Sequence, residues 1–226
     1  MTEQFSQRLR AVADPIWTAQ QRHPFVRGIG DGTVDRERFK HWVRQDYLFL
    51  IEYARLFAIG AARAPDLGTM TAFANLTQET LTTEMSLHRG YAAEFGISEA
   101  ELESEVKAPT TQAYTDFLLR TAALGDFAEL VAALLPCMWG FNEIGLALKA
   151  RGVPADRQCA EWVEMYASPE FGALATWCRE LLDRLAAGTD EARLVRLEEA
   201  FLTSSRYELQ FWEMAQSLET WPETRT

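Results

Sequence analysis

The chain places a proline and a cysteine side by side in an apolar run with helical spacing, Leu134-Leu135-Pro136-Cys137-Met138-Trp139-Gly140-Phe141. A proline inside a helix cannot donate a backbone hydrogen bond, so the carbonyl of Ala132 loses its partner and the helix is expected to bend. Because this costly break lies directly before Cys137, that thiol is a candidate nucleophile. The alternative is a small buried thiol at a kink, since free cysteine is among the most buried residue types.

Helical periodicity continues on both sides of this run, and no segment shows the alternation of a strand. Helices are predicted at about 4–21, 35–62, 66–95, 109–123, 125–152, 157–167 and 190–218, with one more that begins at Ser168. The glycine-dense stretch 23–33 is predicted to be a loop. Because the connections are short and no linker or repeat is present, the sequence predicts one all-α domain over residues 1–226.

Composition limits the classes of function. The chain has 226 residues, of which 48% are apolar and 12% aromatic, enough for a sizeable core. A net charge of −11 argues against nucleic acid or an anionic membrane as a partner. The polar start at 1–4 lacks the pattern of a signal peptide, and no apolar run approaches the roughly 20 residues of a membrane span. A soluble, cytoplasmic protein is expected.

The cysteines point to the same compartment. Cys137, Cys159 and Cys178 are an odd number without CxxC spacing. This pattern argues against a disulfide framework or a zinc site and favours reduced thiols in a reducing compartment.

Two carboxylates lie among aromatic residues at helical spacing. Asp46 shares a helix face with Phe49 and Tyr53, and Glu208 lies about one turn from Phe211 and Trp212. A carboxylate between rings is expensive to bury without a partner, and burial raises its pKa. Both groups are therefore candidate general acids or bases.

Each of these features has a structural alternative. Asp46 could pair with Arg44 or Arg55, and Glu208 with Arg206, as ordinary charges at the protein surface. Aromatic side chains on helices are usually part of the core, which is the alternative for Phe49, Tyr114, Tyr166, Phe211 and Trp212.

The three histidines and their neighbours are the candidate ligands for a metal or haem site. Glu84 and His88 lie one turn apart and Glu143 lies on another helix, but a di-iron bundle needs a Glu-x-x-His pattern from two helices. The three histidines do not complete that pattern. His23 could in principle bind haem, although a loop histidine before a proline is more often structural. The sequence therefore predicts no metal site.

Five segments together resemble the TenA/thiaminase II family: HPFVRGIGDGT at 23–33, RQDYLFLIEYAR at 44–55, LLPCMWGFNEIG at 134–145, YASPEF at 166–171 and TSSRYELQFWEMA at 203–215. The resemblance implies the haem-oxygenase-like all-α fold, often as a homotetramer. It also implies an aminopyrimidine aminohydrolase of thiamin salvage. Such enzymes convert 4-amino-5-aminomethyl-2-methylpyrimidine to the hydroxymethyl pyrimidine and ammonia, and many members also split thiamin.

The resemblance implies a role for each matching residue. Cys137 matches the family's nucleophile, Glu208 its acid/base, and Asp46 the carboxylate that holds the ring nitrogen and amino group of the pyrimidine. The aromatic positions that match the family's substrate-binding residues are Phe49, Tyr114, Phe141, Tyr166 and Phe211. No cofactor is implied, and the implied partner is a small pyrimidine.

Two positions depart from the family. Phe49 and Phe141 stand where its best-studied members have tyrosine, which removes two hydroxyls near the substrate. Two rival functions remain at this point: a non-catalytic protein that binds a pyrimidine or another small ligand, and a haem or di-iron oxygenase on the same fold. Retention of Cys137, Asp46 and Glu208 favours the hydrolase.

Overall fold

The computed structural model describes residues 4–222, and all regular secondary structure in this range is helical, which confirms the all-α prediction. The helices are α1 Phe5–Arg22, α2 Pro24–Asp31, α3 Arg36–Arg63, α4 Leu67–Glu79, α5 Met85–Glu94, α6 Glu99–Glu103, α7 Pro109–Leu124, α8 Phe127–Lys149, α9 Arg157–Tyr166, α10 Pro169–Ala186 and α11 Glu191–Ser217. A π-helical turn, Thr80–Glu84, lies between α4 and α5.

The glycine-dense stretch after α1 is helical, so the prediction of a loop at 23–33 was wrong. Pro24 occupies the first turn of α2, where its missing N–H is not needed, and Nδ1 of His23 accepts a hydrogen bond from the backbone N–H of Phe25. Glycine serves close packing here, because a Cβ at Gly30 would lie 2.6 Å from Cδ2 of Leu148. Gly32, at φ +68°, ends the helix in the left-handed conformation.

The chain divides into two compact units. Within the described residues, the first unit comprises 4–34 and 125–212, and the second comprises 35–124 and 213–222. Helices α1, α2, α8, α9 and α10 belong to the first unit, α3 to α7 belong to the second, and α11 contributes to both.

Helix α8 provides the centre of the first unit. It continues through Pro136, and residues 130–135 are all fully buried. By length and composition α8 is the one helix among residues 4–222 that could cross a membrane, but 78% of its most apolar window is buried inside the protein. That burial is the pattern of a core helix, because a membrane helix would present such side chains to lipid.

The C-terminal end of helix α9 is fixed to α8 by contacts with two α8 residues. The side-chain amide of Asn142 donates a hydrogen bond to the carbonyl of Tyr166 at 2.9 Å. Gly145 lets the two backbones approach, because a Cβ there would lie 2.7 Å from the carbonyl carbon of Tyr166. The position of Tyr166 is therefore set by backbone contacts with α8.

Helix α3 provides the centre of the second unit, where it packs against α4, α5 and α7. The amide of Gln45 bonds to the segment before α7: its Nε2 donates to the carbonyl of Val106 at 3.0 Å and its Oε1 accepts from the N–H of Ala108 at 2.8 Å. Because Gln45 precedes Asp46, this pair of bonds also fixes the backbone next to a predicted site residue.

We predict that Gly145→Ala lowers the free energy of unfolding by about 1–3 kcal/mol, because the new methyl group meets backbone that cannot move aside. The matched control is Gly90→Ala in α5, where a Cβ has open space and alanine should stabilise the helix by about 0.5–1 kcal/mol. Urea unfolding of both variants measures the difference, and equal stability of the two would contradict the packing argument.

Candidate active site

The cysteine predicted to be the nucleophile differs from the other two in its exposure. Cys137 in α8 is partly exposed, whereas Cys159 in α9 and Cys178 in α10 are buried. Burial raises the pKa of Cys178 to about 12. Burial, reinforced by Asp156, raises the pKa of Cys159 to about 12 as well. Neither buried thiol supplies appreciable thiolate at neutral pH.

Aromatic rings from four helices pack together in the first unit. The ring centroid of Phe141 lies 4.9 Å from that of Tyr166 and 5.0 Å from that of Trp212. Trp162 packs on Tyr166 at 4.6 Å, and Phe171 meets the edge of Tyr166 at 5.1 Å. Two predicted substrate-binding residues, Phe141 and Tyr166, are thus in direct contact.

Glu208 is a buried carboxylate in α11, with 2% of its surface exposed. Arg206, the surface partner considered from the sequence, is exposed. The segment just before Glu208 is fixed to α1, because Trp17 Nε1 donates to Ser205 Oγ at 3.0 Å and Gln20 Nε2 donates to the Ser205 carbonyl at 3.3 Å. Glu208 therefore has the burial expected of a general acid or base.

In the second unit, Asp46 is buried and paired with a histidine. His88 Nε2 lies 2.6 Å from Oδ2 of Asp46, and only 1% of His88 and 4% of Asp46 are exposed. Neither arginine considered from the sequence takes this place, because Arg44 pairs with Glu105 and Arg55 pairs with Glu52. Asp46 is thus a core-facing carboxylate.

Aromatic residues of α3 and α7 pack together in the same unit. The ring of Phe49 lies 5.1 Å from that of Tyr114 and 5.2 Å from that of Tyr53, and all three rings are buried. Of the predicted site residues, the second unit holds Asp46, Phe49 and Tyr114, and the first holds Cys137, Phe141, Tyr166, Glu208 and Phe211.

His88, which the sequence indicated only as a candidate metal ligand, is the buried partner of Asp46. Its Nδ1 lies 2.9 Å from the backbone carbonyl of Glu84, so both ring nitrogens have partners within the protein. His23 caps α2. Among residues 4–222, no group of three or more His, Cys, Asp or Glu side chains is arranged to hold a metal ion. The sequence feature that could have indicated this pairing is the predicted burial of Asp46, because a buried aspartate needs a polar partner.

Comparison with known proteins gives one family and nearly full-length relatives. Residues 10–217 match the TENA/THI-4/PQQC family. A curated relative from Halalkalibacterium halodurans, named aminopyrimidine aminohydrolase, is 46% identical over 220 residues, which are 96% of this chain and 97% of that protein.

Solved structures agree on the fold. A TenA homologue from P. horikoshii superposes with a TM-score of 0.89 at 29% identity, covering 95% of this chain and 99% of that one. A domain from Shewanella denitrificans described as having a heme oxygenase-like fold gives a TM-score of 0.72 at 15% identity, covering 94% of this chain and 90% of that one. The haem-oxygenase-like fold is confirmed.

We predict that iodoacetamide at neutral pH labels Cys137 and leaves Cys159 and Cys178 unlabelled in the folded protein. Burial raises the pKa of both of the latter to about 12, so they offer neither thiolate nor access. Peptide mapping by mass spectrometry measures the labelling at each position, and full labelling in urea is the control. Labelling of either buried cysteine at the rate of Cys137 would contradict the distinction.

Proposed function

Because the chain belongs to the TENA/THI-4/PQQC family, we propose that it is an aminopyrimidine aminohydrolase of thiamin salvage. The reaction is the hydrolysis of 4-amino-5-aminomethyl-2-methylpyrimidine to the hydroxymethyl pyrimidine and ammonia. The observation that carries the proposal is the similarity, along almost the entire chain, to a relative that bears this name.

Cys137 is the proposed nucleophile. A thiolate adds to a carbon of the electron-poor pyrimidine ring and forms a carbon–sulfur bond, which raises the electron density of the ring. The electron pair then expels the amine from the neighbouring methylene group, breaking the carbon–nitrogen bond. The partial exposure of Cys137 supports this role, because the other two cysteines are buried.

Glu208 is the proposed acid and base. As an acid it gives a proton to the departing amine, which leaves as ammonia. As a base it takes a proton from water, the hydroxide adds to the methylene carbon, and the thiolate leaves the ring. The net reaction replaces an amino group by a hydroxyl and consumes one water. Burial of the Glu208 carboxylate supports both roles, because a hydrogen bond to a charged group is stronger away from bulk water.

Asp46 is the proposed anchor for the pyrimidine. It bonds to a ring nitrogen and to the ring amino group, and a hydrogen bond that develops into proton transfer makes the ring more electrophilic. Five aromatic side chains are proposed to contact the flat ring: Phe49, Tyr114, Phe141, Tyr166 and Phe211. Their burial suits contact with the two flat faces of the ring, while the polar groups at its edge bond elsewhere.

Phe49 and Phe141 bear on the choice of substrate. Each presents a ring edge where a tyrosine would present a hydroxyl, so substrate groups near these rings receive no hydrogen bond from them. We propose thiamin cleavage as a side reaction of the same residues.

The protein is further proposed to be a cytoplasmic homotetramer that needs no cofactor. Light scattering after size exclusion tests the oligomeric state.

We predict that Cys137→Ser abolishes ammonia release from the aminomethylpyrimidine, because a serine hydroxyl is far less nucleophilic at neutral pH. The variant should still bind the hydroxymethyl pyrimidine with an affinity close to that of the wild type. A coupled enzyme assay for ammonia checks the loss of turnover, and calorimetry checks the retained binding of the hydroxymethyl pyrimidine.

The matched control is Cys159→Ala, which removes a thiol from the same unit and should retain wild-type turnover. Ammonia release by Cys137→Ser at the wild-type rate would remove the cysteine from the mechanism. Binding of the pyrimidine by the wild type without any ammonia release would instead favour a non-catalytic binding protein.

A further inference from the structure

His88 is a buried histidine in direct contact with Asp46. The two residues lie on α5 and α3 of the second unit, 42 positions apart in sequence, and their side chains approach to 2.6 Å. The rings of Trp42 and Tyr91 flank the imidazole, with centroids at 5.5 and 6.2 Å. The pair is buried beside these aromatic rings, where a hydrogen bond to a charged group is strong.

The backbone decides which tautomer His88 adopts. Its Nδ1 faces the carbonyl oxygen of Glu84 at 2.9 Å, and a carbonyl can only accept a hydrogen bond. Nδ1 therefore carries a proton in every state that keeps this bond. The contact between Nε2 and Asp46 then needs one further proton, which lies either on the imidazole or on the carboxyl group. The two side chains share a single proton at this contact.

The charged surroundings favour retention of that proton. Burial lowers the pKa of His88, but the hydrogen bond and charge of Asp46 from α3, with a contribution from Glu84, raise it above the ordinary value overall. Burial raises the pKa of Glu84 to about 7, with the charge of Asp46 adding to this and that of His88 opposing it. The other charged group on α5 nearby, Arg89, pairs with Glu99 of α6.

We propose that the proton shared by His88 and Asp46 is the proton that Asp46 presents to the ring nitrogen of the aminopyrimidine, so that His88 is a positioning residue for the reaction. This inference rests on the proposed function for the identity of the ligand. Before binding, the pair is an imidazolium and a carboxylate. When the proton passes by way of the Asp46 carboxyl group to the ring nitrogen, His88 becomes neutral with its proton on Nδ1 and gives up the Nε2 contact. Asp46 stays a carboxylate, now paired with the cationic ring. The proton returns when the product leaves.

The sign of the pH dependence follows from this arrangement. A histidine whose pKa is raised keeps its interactions below that pKa and loses them as the pH rises through it. Pyrimidine binding should therefore weaken on the alkaline side, when the shared proton is lost. Binding of the hydroxymethyl pyrimidine reports this step without the chemistry of Cys137.

The first test uses the wild-type protein and needs no variant to fold. The chain has three histidines, so nitrogen-15 labelling of histidine gives few ring signals in the NMR spectrum. We expect His88 to hold a proton on Nδ1 throughout and to titrate at a higher pH than His41, whose pKa burial lowers. Titration of His88 at or below the pH of His41, or a bare Nδ1, would overturn the proposal.

The second test is His88→Gln, because the Gln amide can still donate a hydrogen bond to Asp46 but has no proton to give. We expect kcat/KM for ammonia release to fall about 10- to 100-fold, and the alkaline loss of hydroxymethyl pyrimidine binding to disappear. The matched control is His41→Gln, which makes the same change in α3 and should leave both quantities unchanged.

The outcomes separate this inference from the proposed function. A wild type that neither binds the pyrimidine nor releases ammonia refutes the proposed function, whatever the NMR titration shows. An active wild type whose rate and pH profile are unchanged by His88→Gln refutes the role of His88 and leaves the hydrolase intact. If the variant does not fold, the titration of the wild type alone decides whether the proton is shared.

Discussion

The burial of the Asp46 carboxylate is the constraint on which the second unit depends. An isolated ion in such surroundings carries a penalty of several kcal/mol, and it persists only with a partner at close range. His88 provides that partner at 2.6 Å, and the carbonyl of Glu84 orients the imidazole from its other side. The π-helical turn Thr80–Glu84 lies immediately before α5, and such turns often occur at functional sites. Replacement of such a pair by apolar residues often leaves stability unchanged or raised, so stability alone does not explain its presence.

The distinguishing feature of the first unit is a partly exposed thiol on an otherwise mostly buried, apolar helix. Most of α8 is buried, and the two other thiols of the unit are buried with raised pKa values. Cys137 alone among the three cysteines is partly exposed, although its neighbours Pro136 and Met138 are buried. The rings of Phe141, Tyr166 and Trp212 pack together in the same unit, and Gly145 and Asn142 set the position of Tyr166. Rigid support of this sort is what positions reacting groups accurately.

Local patterns in the sequence predicted much of this, and the failures have physical causes. Helices α3 and α8 begin close to the predicted positions 35 and 125, where Asp35 and Asp126 cap them. The spacing of Asp46 with Phe49 correctly indicated a carboxylate on a buried face. The partner of Asp46 was missed because it lies 42 residues away, and sequence reasoning considered only nearby arginines. Helix α2 was missed because glycine density suggests a loop, whereas Gly30 is required by its contact with Leu148. The roles of Cys137 and Glu208 stay predictions, because they concern chemistry with a substrate.

The most direct test of the account is a double-mutant cycle on the buried pair, using Asp46→Asn, His88→Gln and the combined variant. Urea unfolding of the four proteins gives the energy that couples the two side chains. If Asp46 is buried because His88 shares its proton, the coupling should be about 1–3 kcal/mol, and the double variant should be less destabilised than the sum of the single variants. Effects that add to within about 0.5 kcal/mol would show that the two groups act independently and would contradict the account.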